Sequence, residues 1–202
     1  MKKVILFYLA FVLVVVIGVM AVVFELNYNS IVAAKRDVDV SRAQVEVVLQ
    51  RRIDLVPNLV AVVKGYAQHE KETLTAVIAA RNKAVEALKA VSGKGNPTSE
   101  DLAENAKAQD ALKTTMSKLL MVVEAYPDLK ANSNFLTLQE QLEGTENRIA
   151  VERHRYNDAL ASYNFKITVY PAILVAKIAG FKEARDYFKA SEAAYEAPVM
   201  KF

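Results

Sequence analysis

The feature that most constrains this chain is an uncharged run of 21 residues near its beginning, Val4 to Phe24, reading VILFYLAFVLVVVIGVMAVVF. As a helix rising about 1.5 Å per residue, the run spans roughly 30 Å, the thickness of the hydrocarbon core of a bilayer. Lys2 and Lys3 precede it and Glu25 follows. No face of the segment is polar, which argues against a core helix of a soluble domain. Val19 and Ala21 imitate a signal-peptidase site, but a signal peptide has an apolar stretch of only about 7–15 residues. The run therefore reads as a transmembrane anchor. Lys35 and Arg36 on its far side are more distant and lie beside Asp37 and Asp39, so the positive-inside rule predicts a cytoplasmic N-terminus and a domain on the outer face.

Beyond the anchor the composition is that of a charged helical protein. Twenty-six Lys and Arg against 23 Asp and Glu leave a net charge of +3, with the two signs interleaved. A nucleic-acid binder shows a basic stripe without matching acids, so that class of partner is set aside. There are no cysteines, which removes disulfides and thiolate metal sites.

Ile31, Val38 and Val45 recur every seven residues, with Val48 and Leu49 alongside, which predicts a helix continuing from the anchor. Pro57 removes a backbone donor and disfavours helix at Val56, so a break or sharp kink is expected at 54–57, with Asp54 capping the next helix. A stripe from Leu59 through Val63, Tyr66, Leu74, Val77 and Ile78 to Leu88 predicts one helix over 58–91. The turn-forming stretch Ser92-Gly-Lys-Gly-Asn-Pro97 ends it. Thr98 or Ser99 caps a successor carrying Leu102, Leu112, Met116, Leu119, Leu120 and Val123, which stops at Pro127. Asn132-Ser133-Asn134 opens the last long helix, whose core positions Leu142, Ile149, Tyr156, Tyr163 and Tyr170 recur every seven residues, with Leu160 and Ile167 between them. Pro171 ends or kinks it. A shorter amphipathic helix is expected over 183–196, and Pro198 leaves a short extended tail.

The fold class expected is all-α: an N-terminal transmembrane helix continuing into an antiparallel bundle of three to four long helices. The organisation is a short tail over 1–3, an anchor over 4–26, a bundle over 27–196 and an extended tail over 197–202.

No catalytic constellation stands out, and no metal or cofactor is expected. His69-Glu70 begins a zinc-protease pattern, but its second histidine position holds Thr73. His69 and His154 read as solvated residues on helix surfaces. Gly93 and Gly95 have neither the spacing nor the strand of a phosphate loop. Two stretches are more specific. Gln50-Arg51-Arg52-Ile53-Asp54-Leu55-Val56-Pro57-Asn58 reads either as a capped kink in which an arginine pairs with Asp54, or as a partner contact. The tail Ala197-Pro198-Val199-Met200-Lys201-Phe202 is either frayed or docked through Phe202 on a neighbouring subunit.

These stretches also carry a resemblance. The chain is similar to the LemA family of bacterial membrane proteins in Tyr28-Asn29-Ser30-Ile31-Val32, in Arg51 to Val60 and in Val63-Lys64-Gly65-Tyr66-Ala67-Gln68-His69-Glu70. The pattern continues in Glu143-Gly144-Thr145-Glu146-Asn147-Arg148-Ile149-Ala150, Gly180-Phe181-Lys182, Tyr187-Phe188 and Ala197-Pro198-Val199. Tyr170-Pro171-Ala172-Ile173 departs from it, since many members carry Phe before the Pro and Asn soon after. The resemblance implies a single-pass anchor in the bacterial inner membrane, a helical bundle and no established enzymatic activity. It also implies genes placed near those of membrane metalloproteases or other small membrane proteins, with one branch tied to organising a specialised bacterial membrane.

Three functions follow as expectations. The first is a non-enzymatic scaffold that forms a homo-oligomer through its long helices, coiled-coil fashion, and organises a membrane region. The second is an adaptor or regulator of a membrane metalloprotease. The third is a sensor or remodeller of the lipid surface, motivated by the apolar, lysine-spaced segment Lys166–Lys182. The candidate structural or partner-contact residues are Arg51, Arg52, Asp54, Pro57, Asn58, Tyr66, His69, Glu70, Glu146, Asn147, Arg148, Phe181, Pro198 and Phe202.

Overall fold

A computed structural model describes residues 2–92, 94, 97–184 and 187–188. Among these there is helix and no strand. The elements are α1 (Lys2–Tyr66), α2 (Lys71–Ser92), α3 (Ser99–Val123), α4 (Pro127–Lys130), α5 (Ser133–Thr168) and α6 (Ala172–Ala179). The apolar run occupies the beginning of α1 with every described side chain from Lys3 to Phe24 exposed, and this helix is long and apolar enough to cross a membrane.

Contacts divide the chain into two compact units, Met1–Ser41 with Tyr156–Arg185, and Arg42–Arg155 with Asp186–Phe202. In the first, Ile31 and Ala34 of α1 share a core with Tyr163 and Ile167 of α5 and with Ala172, Val175 and Ala176 of α6. In the second, α1 contributes Val45, Leu49, Ile53, Val56, Leu59 and Val63, all buried. The buried stripes of α2 (Leu74, Val77, Leu88, Val91), α3 (Leu112, Met116, Leu119, Val123) and α5 (Phe135, Leu142, Ile149) complete its apolar interior, and α2 packs along α3.

The cap expected at Thr98 forms. Thr98 accepts from the Asp101 amide at 3.1 Å while Asp101 accepts from the Thr98 amide at 2.9 Å, a reciprocal capping box. Lys94, bonded to the same carboxylate at 2.7 Å, is the largest cause of the Asp101 pKa falling to about 2; the Thr98 amide and hydroxyl add to it. At the start of α5, Asn132 accepts from the amides of Asn134 and Phe135 at 3.0 and 3.1 Å.

Several expectations are overturned. Pro57 does not end a helix: α1 runs through it. A proline inside a helix costs about 3 kcal/mol, but its ring lies on the exposed face, and Ile53, Val56 and Leu59 around it are fully buried. Each such aliphatic side chain contributes roughly 1.5–3 kcal/mol on burial, so packing outweighs the missing hydrogen bond. Asp54 therefore caps nothing and accepts from Gln50 one turn earlier at 2.7 Å.

The helix expected over 58–91 is instead two, broken at Ala67–Glu70, so His69 lies in a turn and not on a helix. The Ala67 amide still donates to the Val63 carbonyl, and the Glu70 carbonyl accepts the first bond of α2 from Leu74. Pro127 opens α4 at its first position, where a missing amide costs nothing, and α3 has already ended at Val123. Ile78 is exposed although it was expected in the apolar stripe, and Tyr170 is exposed over 78 % of its surface although the seven-residue spacing put it among the core positions. For Tyr170 the reason is that α5 ends at Thr168 and the chain turns by 96° into α6. Glu183, Ala184, Tyr187 and Phe188, the described positions of the helix expected over 183–196, are not helical. Asn164 holds Ala184 by accepting from its amide at 3.0 Å and donating to its carbonyl at 2.6 Å.

Candidate functional site

In the second unit the apolar stripe of α1 is interrupted by a charge. Arg52 follows Leu49 by three positions and precedes Val56 by four, so the helix carries it into the core, where it is 2 % exposed. A guanidinium is not deprotonated there and must be met by acceptors. Nη1 donates to Glu146 Oε1 of α5 at 2.7 Å. Nη2 donates to the Gln109 side chain of α3 at 2.6 Å and to the Gln109 backbone carbonyl at 3.1 Å. Gln109 in turn donates to Asn105 at 3.5 Å, and Lys113 lies 3.6 Å from the second oxygen of Glu146. One side chain thus ties three helices together, and its planar fork sets how far apart they lie.

Arg153 extends the cluster along α5. Burial pulls its pKa below the arginine range, against Asp110, with the Arg52 charge adding to the fall and Glu146 opposing it. Its guanidinium carbon sits 5.2 Å from the centre of the Phe188 ring, within cation–π range. The Nε atoms of Arg52 and Arg153 are buried without a hydrogen-bond partner.

A second polar group closes off the turn between α1 and α2. Tyr126 donates to Glu70 at 3.1 Å, and this bond to a carboxylate raises the tyrosine pKa. Asn132 donates to the Tyr66 hydroxyl at 2.9 Å while capping α5 with its oxygen.

The residues singled out in the sequence therefore part company. Arg52 and Glu146 are joined, and Tyr66 and Glu70 each hold the chain around α4. The pairing expected between an arginine and Asp54 is not made; Glu146 takes that place. Arg51, Asp54, Pro57 and Asn58 lie on the exposed side of α1, and Asn147 and Arg148 on that of α5. His69 is exposed in its turn. Phe181 packs in the first unit, its ring 5.7 Å from that of Tyr28, which stacks on Phe24 at 6.3 Å. Pro198 and Phe202 lie outside the described residues.

Sequence reasoning missed Asn105, Gln109 and Thr145, all buried. The signal was present: Asn105 and Gln109 continue the spacing of Leu112, Met116, Leu119 and Val123, and Thr145 falls between Leu142 and Ile149. A polar residue in register with a core stripe marks an internal polar contact.

Chemically, the cluster is a cross-link and not a reaction centre. Its acceptors are already engaged by arginine and lysine. Among the described residues no group of three or more His, Asp or Glu side chains is placed to hold a metal ion.

The architecture is that of an all-helical protein with one helix long and apolar enough to cross a membrane. Residues 41–202 match the LemA family, and the chain belongs to it. Its relatives include magnetosome protein MamQ 1 and MamQ 2 of Paramagnetospirillum magneticum, each 29 % identical across 87 % of this chain and 69 % of the relative. MamQ of Magnetospirillum gryphiswaldense is 27 % identical over the same shares.

Proposed function

We propose that this protein is a single-pass scaffold of the bacterial inner membrane that self-associates through α1 and thereby organises a membrane region. The amino terminus is cytoplasmic, and α1, α2, α3 and α5 form an antiparallel bundle on the outer face.

The observation that carries the reading is a second apolar stripe on α1, distinct from the buried one. Beyond the anchor, Leu26, Ala33, Val40 and Val47 recur every seven residues, and all four are exposed. Exposed apolar residues at that interval supply one of the two core positions of a coiled-coil seam. A straight helix drifts by about 20° per heptad against such a repeat, so joining the seam requires a left-handed supercoil with another copy. Anchors inserted from one side keep those copies parallel. Asn29, Arg36 and Gln50 occupy alternate positions, with Ala43 among them, so the seam is narrow and depends on the anchors lying side by side. The resemblance to a family with a branch tied to organising a specialised membrane agrees with this role.

The test is the native mass of the full-length protein in mild detergent, for the natural sequence and for Val40→Glu with Val47→Glu. A uniform oligomer that the double variant reduces to monomers supports the reading. A natural sequence that stays monomeric at high concentration refutes it.

A further inference from the structure

The first unit leaves one apolar face uncovered close to where the anchor ends. α6 buries Ala172, Val175 and Ala176 and turns Leu174 and Ile178 outward, the latter 75 % exposed. Leu174 and Ile178, four residues apart, share one face of α6, and the exposed Tyr170 stands in the turn just before the helix. Phe165, near the end of α5, is also exposed. Phe181, just after the Gly180 cap, packs against the core of this unit; its ring rests on Tyr28, which stands one turn, about 6 Å, beyond the last residue of the apolar run. That distance is the depth of a headgroup layer, the difference between a hydrocarbon core of about 30 Å and a whole bilayer of about 40–45 Å, shared by two sides.

Charge points the same way. From Ala159 to Lys182 there are three lysines, Lys166, Lys177 and Lys182, and no aspartate or glutamate. Lys177 and Lys182 are exposed. The nearest acids in sequence, Asp158 and Glu183, bracket the stretch. Finally, the 96° turn between α5 and α6 carries this short helix across the direction of the helix before it, while α6 shares its core with Ile31 and Ala34 of α1.

We infer that α6 lies in the headgroup layer of the same bilayer that α1 crosses, with Tyr170, Leu174 and Ile178 reaching the acyl boundary and Lys177 and Lys182 contacting anionic lipid. A helix with apolar residues on one side and lysines beside them takes up this interfacial position. The inference rests on the anchoring of Val4–Phe24 and adds a second contact to it: the protein reads the charge of the membrane beside its own anchor.

The chain has no cysteine, so a single introduced one can be labelled uniquely. The full-length protein would carry a nitrobenzoxadiazole fluorophore at Ile178→Cys, at Leu13→Cys in the apolar run, or at Asn147→Cys on the exposed side of α5. Each would be reconstituted in phosphatidylcholine vesicles with or without phosphatidylglycerol. Nitroxide lipids labelled near the headgroup or at the bilayer centre would serve as quenchers.

The expected result is strong quenching of the Ile178 label by shallow nitroxides, an intensity loss of about twofold or more, as for an interfacial helix. The Leu13 label responds to the central nitroxide and the Asn147 label to neither. Lys177→Gln with Lys182→Gln reduces shallow quenching at position 178 in anionic vesicles and leaves it unchanged in neutral ones. An unquenched label at 178 with Leu13 still quenched overturns the inference and leaves the anchor standing, because a second copy or water then covers the face. Quenching at 178 by the central nitroxide also overturns it, because α5 and α6 then enter the bilayer as a bent span. An unquenched Leu13 label removes the anchoring reading itself.

Discussion

Replacing Arg52 with methionine isolates the contribution of the arginine that joins α1, α3 and α5. Methionine fills much of the same volume, so the loss is electrostatic and not a cavity. Gln109 is wholly buried and loses the donor to its side-chain oxygen at 2.6 Å. The Glu146 side chain is 30 % exposed and retains Lys113 at 3.6 Å, so its charge is only partly stranded. Removing one partner of a buried pair costs about 3–5 kcal/mol, and the exposure of Glu146 places this case near the lower end, about 3 kcal/mol. For a domain of this size each kcal/mol shifts the midpoint by about 2–4 °C, so Arg52→Met lowers it by about 6–12 °C. The assay is thermal unfolding of the full-length protein in mild detergent, followed by helical circular dichroism. A triple variant, Arg52→Met with Gln109→Leu and Glu146→Met, removes the stranded groups as well and recovers most of the loss, because an apolar replacement of a whole buried ion pair is neutral or better. A single variant that shifts by less than about 2 °C, or a triple variant no more stable than the single, refutes the reasoning.

Pro57→Ala restores the amide missing from the middle of α1 without disturbing buried residues. It raises stability by about 2 kcal/mol once the looser unfolded chain is discounted, and a lowered midpoint would contradict the exposed placement of the ring. Thr98→Ala removes the hydroxyl cap of α3 and lowers stability by about 1 kcal/mol in urea unfolding; no change would mean that α3 does not depend on its capping box. Asp101 is held at about 2 when folded against 3.8 unfolded, so its contribution is present above about pH 4 and fades as the pH falls toward 2. Asp101→Asn should therefore be less stable than the natural sequence at pH 6 and indistinguishable from it below pH 2, and a difference that persists in acid would rule out the carboxylate as its source. Glu70→Gln removes the carboxylate that faces Tyr126 and brings that phenol back toward its ordinary pKa, observable by NMR titration of labelled tyrosine; an unchanged Tyr126 would exclude the hydrogen bond.

How far the sequence could be read depended on the range of the interaction. Thr98, Asn132 and the turn after Ser92 act within a few residues, and their roles were legible. A break at Pro57 was one of two outcomes expected, and it does not form because the burial of Ile53, Val56 and Leu59, a tertiary matter, outweighs the real local cost. The break at Ala67–Glu70 was missed although the apolar stripe lapses between Tyr66 and Leu74. At Tyr170 the period was followed one step beyond the point where α5 stops. Arg52 and Glu146 were flagged through the family pattern, but nothing in either local segment says that they meet. The residues that complete their site, Asn105 and Gln109, were visible only as polar residues in a core register.

By itself, then, the sequence determined the apolar run, the helical class, the starts of α3 and α5 and the family, because a 21-residue uncharged segment and repeated apolar spacing have few other physical solutions. The tertiary structure decided which arginine is buried and which carboxylate meets it, that α1 passes through its proline, and that α6 turns aside with Leu174 and Ile178 uncovered. Each of those outcomes balances a local cost against contacts between residues tens of positions apart, and that balance is settled only when the helices come together.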